Sequence, residues 1–144
     1  MRVIVKEPNK DFRVVSTDIK YVGDLKSLIG AKYYPETVCL GNNGLYFCAD
    51  EEGYLNGKEF NIFLPTLSVD YPVQRLVGTI LFYRVKPIDY SGEIYDYEVG
   101  NLTDLDISLI ADLLQSGNQK KYEKVFDVRY SSIEEYLTPI IRGF

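Results

Sequence analysis

Three consecutive carboxylates, Asp50, Glu51 and Glu52, form the most acidic run of the chain and are the first candidates for acid–base or metal chemistry. Paired carboxylates can serve as a general acid and a general base, and carboxylate oxygens are preferred ligands of hard divalent cations. In an extended segment only Asp50 and Glu52 share a face, and a metal site would need further ligands that the neighbouring sequence does not supply. An enzyme would therefore have to combine these two residues with a metal or with Lys58.

Histidine is absent from the 144 residues, which excludes several kinds of catalytic and metal site. Without imidazole there is no Ser-His-Asp or Cys-His activation of a nucleophile and no His-based zinc site. The segment Gly41 to Gly44 also lacks the lysine and the following helix of a phosphate-binding loop. We therefore expect no metal and no cofactor, and the sequence favours a non-enzymatic protein.

A structural role is the alternative for the same carboxylates. They could accept backbone N–H bonds and pin the following loop to Asn61, whose amide both donates and accepts hydrogen bonds. We favour this interpretation over catalysis. The candidate binding residues are then Asp50, Glu51, Glu52, Asn61, Tyr46 and Tyr54.

Tyrosine is unusually frequent, with 13 Tyr and no Trp. A tyrosine ring can stack on a base or a partner while its hydroxyl forms a hydrogen bond, although tyrosine is also simply a good strand residue. The first alternative favours a tyrosine-lined site for a small nucleotide-like ligand, or docking to a host protein. The rings concerned lie near predicted strand ends and loops: Tyr33, Tyr34, Tyr46, Tyr54, Tyr90, Tyr95 and Tyr97.

The net charge of -5 argues against direct binding to nucleic acid, since phosphates are neutralised by lysine and arginine. Between Pro87 and Gln119 there are acidic residues but no lysine or arginine. Such a field could attract a basic partner or imitate DNA to a host nucleic-acid-binding enzyme, or it could merely keep the protein in solution. The residues are Asp89, Glu93, Asp96, Glu98, Asp104, Asp106 and Asp112.

The N-terminal segment has only three apolar residues before a charge, and no apolar run approaches the length of a membrane span. We therefore expect a cytoplasmic protein without a membrane partner. In that compartment Cys39 and Cys48 should be free thiols. A two-residue Asn43-Gly44 turn would nevertheless place them directly opposite each other, where a disulfide is geometrically possible.

The predicted secondary-structure elements that carry these residues are short. Alternating or β-branched runs predict strands, and the longest of them should be central in the sheet because it is apolar on both faces. The predicted strands are Val3–Val5, Arg13–Thr17, Thr37–Leu40, Leu45–Ala49, the central Val77–Val85 and Lys124–Tyr130. Two prolines make Leu64–Gln74 a loop or an edge segment.

Capping residues mark the helices. Asp24 and Gly30 bound a short helix over Asp24–Ile29, and Thr103 with Asp106 begins a longer helix over Asp104–Gln115. A last short helix starts at Ser131 and is disrupted by Pro139. We predict one α+β domain over residues 1–144, a mostly antiparallel mixed sheet with about three helices. On the long helix the expected buried stripe is Leu105, Leu109, Ile110 and Leu113.

Several motifs together resemble a domain family of bacteriophages and conjugative elements in low-GC Gram-positive bacteria. They are the strand ending in Glu7-Pro8, the Leu-x-x-Leu-Ile-Gly of Leu25–Gly30, the Asp-Glu-Glu-Gly of Asp50–Gly53, Asn61, and the Val-Gly-Thr-Ile-Leu of Val77–Leu81. The family more often has asparagine at the position of Asp50. The resemblance covers residues 1–85 and implies an accessory protein of a mobile element, with no catalytic residue or cofactor to transfer. The acidic, tyrosine-rich segment after Lys86 has no counterpart in it.

Overall fold

Two strands and a short helix are followed by six strands and then two helices in a computed structural model that describes residues 1–31, 35–40, 44–50, 52–53, 56–65, 72–86 and 97–141, without the side chains of 35–36 and 129–141. The strands are β1 Arg2–Lys6, β2 Arg13–Ser16, β3 Pro35–Cys39, β4 Leu45–Asp50, β5 Phe60–Pro65, β6 Val73–Val77, β7 Ile80–Val85 and β8 Val99–Gly100. The helices are α1 Lys26–Ile29, which follows a 3-10 turn at Val22–Leu25, α2 Asp104–Leu114 and α3 Ser116–Ile141. The predicted α+β class is confirmed.

The larger sheet has the strand order β2-β1-β7-β4-β3, with β8 also paired to β7, and the smaller sheet is the ribbon β5-β6. All of the pairings are antiparallel. The central position predicted for the Val77–Val85 strand is confirmed for β7, which begins at Ile80 because Val77 belongs to β6 and the chain turns at Gly78; Ile80, Leu81, Phe82 and Tyr83 are all buried. Because successive side chains of a strand point to opposite faces, β7 contributes to two separate cores.

The two faces of the larger sheet are covered differently. On one face, here called the inner face, Ile4, Phe47 and Phe82 pack with residues of the β5-β6 ribbon and of α2. On the other, the outer face, the covering residues are Val22, Leu25 and Ile29 from the 3-10 turn and α1. The helical cover of the outer face is therefore much shorter than that of the inner face.

The β3-β4 hairpin puts Leu45, Phe47 and Ala49 on the inner face, with Val38 and Leu40 packed against them, as the alternation predicts. Its register differs from the prediction. Cys39 pairs with Tyr46 and Cys48 pairs with Thr37, because residues 41–44 separate Leu40 from Leu45 in place of a two-residue turn. The proposed disulfide position is therefore wrong, and both cysteines are free thiols.

The short first helix starts earlier than predicted, with the 3-10 turn at Val22, and Asp24 makes no capping hydrogen bond to it. Gly30 ends α1 in the left-handed conformation, φ 67°, as predicted. In α2, Thr103 and Asp106 form the predicted capping box.

The predicted buried stripe of α2 is partly wrong, because Leu105 and Leu109 are exposed. The buried position in the first turn belongs to Asp106. An ion pair described below draws this side of the helix onto the sheet, so that Leu105 and Leu109 turn toward solvent. Ile110 is buried, and Leu113 packs against the inner core as predicted.

At Leu64–Gln74, which is predicted as a loop or an edge segment, β5 ends at Pro65 and β6 begins at Val73, and both are strands of the two-stranded ribbon; residues 66–71 lie outside the described residues. The predictions for the C-terminal part are wrong. Lys124–Tyr130 belongs to α3 instead of a strand, and the same helix includes Ser131 and Pro139. The half-buried residues of this part of the chain are Gln119, Tyr122 and Phe126. They recur every three to four residues, which is the period of a helix.

Candidate functional site

The acidic corner at the end of β4 is built around Asp50, whose side chain is 4% exposed. Its carboxylate accepts hydrogen bonds from the Glu52 N–H at 3.0 Å and from Asn56 Nδ2 at 3.4 Å. Lys58 Nζ lies 2.7 Å from its Oδ2. The hydrogen bonds expected from Asp50 to the following loop are therefore present, and the lysine adds an ion pair to them.

Lys58 connects this corner to the end of α1. Besides Asp50, its ammonium donates to the carbonyl oxygens of Ile29 at 3.3 Å and of Gly30 at 3.2 Å. A cation is favourable there because the last carbonyls of a helix carry partial negative charge. The side chain reaches this position across Gly78, where a Cβ would lie 2.7 Å from Lys58 Cδ.

The surroundings of Asp50 keep it ionised. Burial by itself would raise the pKa of Asp50, but the hydrogen bond and charge of Lys58 and the hydrogen bonds from Glu52 and Asn56 outweigh it, so that the pKa lies below its ordinary value. A general acid or base works best with a pKa near the working pH. The geometry therefore suits Asp50 to ordering the loop better than to proton transfer.

Neither Glu51 nor Tyr54 belongs to the described residues, so these two predicted positions are not placed. Glu52 is half-buried, and its backbone, through the bond to Asp50, takes part in the loop. Among the described residues, no group of three or more Asp, Glu or Cys side chains is arranged to hold a metal ion.

Asn61 makes hydrogen bonds with partners other than the Asp50 loop predicted for it. Its Nδ2 donates to the carbonyl oxygens of Lys6 and Gly78, each at 2.7 Å, and its Oδ1 accepts from Lys6 Nζ at 2.9 Å. The residue thereby joins the end of β1 to the turn that follows β6. It does not pin the Asp50 loop, so the structure separates two members of the predicted site.

Two of the predicted tyrosines, Tyr46 and Tyr97, lie on the outer face with Tyr83, which is not one of the tyrosines singled out from the sequence. Tyr46 of β4 lies opposite Tyr83 of β7, with ring centroids 6.0 Å apart and ring planes at 18°. Cys39 pairs with Tyr46 from the other side, and Tyr97 precedes β8. We call Cys39, Tyr46, Tyr83 and Tyr97 the tyrosine face.

Exposure increases along the tyrosine face. Tyr83 is 1% exposed, Tyr46 is half-buried and Tyr97 is 51% exposed. Burial, with contributions from Cys39 and Tyr97, raises the pKa of Tyr46, so its hydroxyl stays protonated and able to donate. Burial also raises the pKa of the neighbouring Cys48 to about 12, which leaves that thiol unreactive near neutral pH.

The strongest charged contact of the described residues was not predicted. Arg84 of β7 donates from Nε to Asp106 Oδ2 at 2.8 Å and from a terminal nitrogen to Oδ1 at 2.6 Å. The hydrogen bonds from Arg84, against the effect of burial and with those from Thr103, lower the pKa of Asp106 to about 2. The only signal in the sequence is an arginine near the end of an otherwise apolar strand.

The acidic segment contains no lysine or arginine between Pro87 and Gln119, but in the folded structure cations lie beside several of its carboxylates. Asp104 pairs with Arg2 at 2.9 Å, and Asp106 pairs with Arg84. Glu98 lies 3.6 Å from Lys20 and 3.5 Å from Lys86. Cations from other parts of the chain thus neutralise several carboxylates of this field; residues 89–96 lie outside the described part.

Comparison with protein-family models, with curated proteins and with solved structures gave no match to this chain. Of the helices that the structure describes, none combines the length and the apolar character needed to cross a membrane. Function therefore has to be argued from the two sites themselves.

Proposed function

We propose that this chain is a non-enzymatic accessory protein that acts by binding a partner protein on the tyrosine face. The observation that carries the proposal is the gradient from buried Tyr83 through half-buried Tyr46 to Tyr97, which is 51% exposed. Tyrosine is enriched in protein interfaces, and here the half-buried Tyr46 and the exposed Tyr97 can contact a partner while the buried Tyr83 supports Tyr46 from below. On this face Tyr97 is exposed, and Cys39 and Tyr46 are partly exposed.

The acidic corner supports the binding alternative over the enzymatic one. Asp50 and Lys58, the residues that an enzyme would have needed, are engaged with each other and with the loop and helix around them. The ion pairs of Asp104, Asp106 and Glu98 likewise reduce the resemblance to a line of DNA phosphates. The motif resemblance of residues 1–85 supplies the setting that we propose, a cytoplasmic accessory protein of a phage or conjugative element that contacts a host protein.

Native mass spectrometry of the full chain isolated from the cells that encode it tests this proposal. The wild-type protein should carry a partner protein that Tyr97→Ser loses. Leu105→Ser is the matched control, because Leu105 is 80% exposed on α2 and away from the tyrosine face. A partner retained by Tyr97→Ser but lost from Leu105→Ser would contradict the assignment of the surface. Release of a nucleotide-sized mass in place of a protein would support the small-ligand alternative.

A further inference from the structure

The free edge of β2 is the second surface that the described structure leaves open. The strand lies at the end of the larger sheet and pairs only with β1. Met1 and Thr17 exchange both backbone hydrogen bonds, at 2.7 and 2.8 Å, so they are a hydrogen-bonded pair. Since such pairs alternate with non-hydrogen-bonded ones, Val14 and Ser16 direct their backbone N–H and C=O groups away from β1.

Neighbouring contacts support this orientation. Ser16 is opposite Arg2, whose N–H bonds to Asn101 and whose carbonyl oxygen accepts from Leu102, both on the side away from β2. Val14 is opposite Ile4, which is paired with Phe82 of β7 on its other side. No hydrogen bond from the described residues reaches the outward groups of Val14 and Ser16.

Two other edges of the described strands each carry a feature that hinders the addition of a strand. Leu40 bonds to Leu45, so the alternation along β3 turns Pro35 toward its free edge, and proline has no N–H to offer an added strand. On the ribbon, Gln119 of α3 occupies the outward groups of Phe63 by accepting from its N–H at 2.9 Å and donating to its carbonyl at 2.8 Å. Among the described residues nothing comparable covers the edge of β2, and Val14 is 42% exposed there.

We propose that this edge pairs with β2 of a second copy of the chain, antiparallel and about a two-fold axis through Val15. Val14 of one copy then opposes Ser16 of the other, and the reciprocal pair forms by symmetry, so each pair exchanges both of its hydrogen bonds. The two Val15 side chains become a cross-strand β-branched pair, and Arg13 opposes Thr17, so no like charges face each other. The edge is thus complementary to itself, and the larger sheets of the two copies become continuous.

A proline substitution distinguishes this interface from any other, because it removes the outward N–H of Val14 without removing a bond to β1. The wild-type chain should show a concentration-dependent dimer by analytical ultracentrifugation, and Val14→Pro should weaken it about tenfold or more, since each copy loses a hydrogen bond. Val14→Thr keeps the N–H and the shape of the side chain, so it should dimerise like the wild type.

Amide hydrogen exchange of the wild-type chain provides a readout that does not depend on a folded proline variant. On dimerisation the Val14 and Ser16 amides should become protected, whereas Val15, which bonds to β1, should be protected at every concentration. A chain that stays monomeric overturns the proposal. So does a dimer that persists in Val14→Pro, or one in which the Val14 and Ser16 amides still exchange rapidly.

Discussion

Asp50 and Asp106 are two buried aspartates paired with cations, and they stabilise different levels of the structure. Asp50 pairs with Lys58 and with groups of its own loop, all within a short stretch of chain. Asp106 pairs with Arg84, which comes from the central strand, while also capping α2. The first aspartate therefore orders a local loop, whereas the second fastens a helix to the sheet.

A cluster of charged residues in the sequence therefore does not identify the carboxylate that contributes most to stability. Asp50 stands out because Glu51 and Glu52 follow it, yet Asp106, which has no acidic residue beside it, has the pKa of about 2 and the two-pronged arginine contact. A bidentate guanidinium pair is stronger and more directional than an ammonium pair. We expect perturbation of the two sites to differ accordingly.

The largest effect should come from Asp106→Ala, which removes the acceptor of two hydrogen bonds from the half-buried Arg84 and the Asp106 half of the α2 capping box. We expect a loss of about 2–4 kcal/mol in the free energy of unfolding, measured by urea denaturation. Asp104→Ala is the control, because the Asp104 side chain is 95% exposed and its ion pair should contribute less than about 1 kcal/mol. Similar losses in both variants would contradict the distinction.

Lowering the pH should cause the next largest loss in the free energy of unfolding, chiefly through protonation of Asp106. The folded-state pKa of about 2 lies below the unfolded value, so this carboxylate stabilises the fold above the unfolded pKa, and the stability is lost as the pH falls toward 2. The contribution is on the order of 2 kcal/mol. The lowered pKa of Asp50 acts with the same sign. Unfolding curves at decreasing pH should therefore show a shallower dependence in Asp106→Ala than in the wild type.

Asp50→Ala should cost less than Asp106→Ala, about 1–3 kcal/mol, because it leaves backbone and Asn56 donors unpaired. Lys58 gives Asp50 a single ammonium contact, whereas Arg84 gives Asp106 two guanidinium hydrogen bonds. Asp50→Asn should lose less than Asp50→Ala, since it keeps an acceptor for the Glu52 N–H. Equal losses in the free energy of unfolding for Asp50→Ala and Asp106→Ala would show that the two aspartates stabilise the fold to the same extent, contrary to this prediction.

Gly78→Ala perturbs the Asp50 corner without removing any of its polar groups. The backbone of Gly78 is left-handed, φ 73°, and the new Cβ would press on the Lys58 side chain. We expect a loss of about 1–2 kcal/mol by thermal or urea denaturation. Gly117→Ala is a suitable control, because nothing lies within 4 Å of its Cβ position. A helical glycine replaced by alanine should instead leave stability unchanged or raise it slightly.

The smallest effect on stability should follow Tyr97→Ser, within about 0.5 kcal/mol, because half of this side chain is already in water. A much larger loss in urea denaturation would assign Tyr97 to the fold and weaken the proposed binding role.

Local signals in the sequence were enough to predict the elements with clear boundaries. The capping box of α2, the left-handed Gly30 and the central, doubly buried β7 were all found from a few neighbouring residues. The wrong predictions occur where the local pattern is ambiguous or where residues distant in sequence determine the secondary structure. Around Phe126 and Val128 an alternating run concealed a helix, because the residues that bury it against the ribbon, such as Phe63, are far away in sequence.

The candidate site was predicted in part for the same reason. The loop bonds of Asp50 follow from short spacing, whereas the contact of Arg84 with Asp106 depends on packing α2 across the sheet. The cysteine register failed because turn length, which the Asn-Gly signal did not determine, sets every pairing beyond it. The stacking of Tyr46 on Tyr83 likewise required the order of the strands.

The side-chain amide of Asn61 couples the unfolding of the two sheets. It is bonded to Lys6 in the larger sheet and to the carbonyl of Gly78 beside the ribbon. If the ribbon opens, Lys6, the last residue of β1, loses two hydrogen bonds to Asn61. Local unfolding of one sheet should therefore destabilise the other. The two sheets should accordingly melt as a single cooperative unit, with one common midpoint in slow-exchanging amides of β1 and β6.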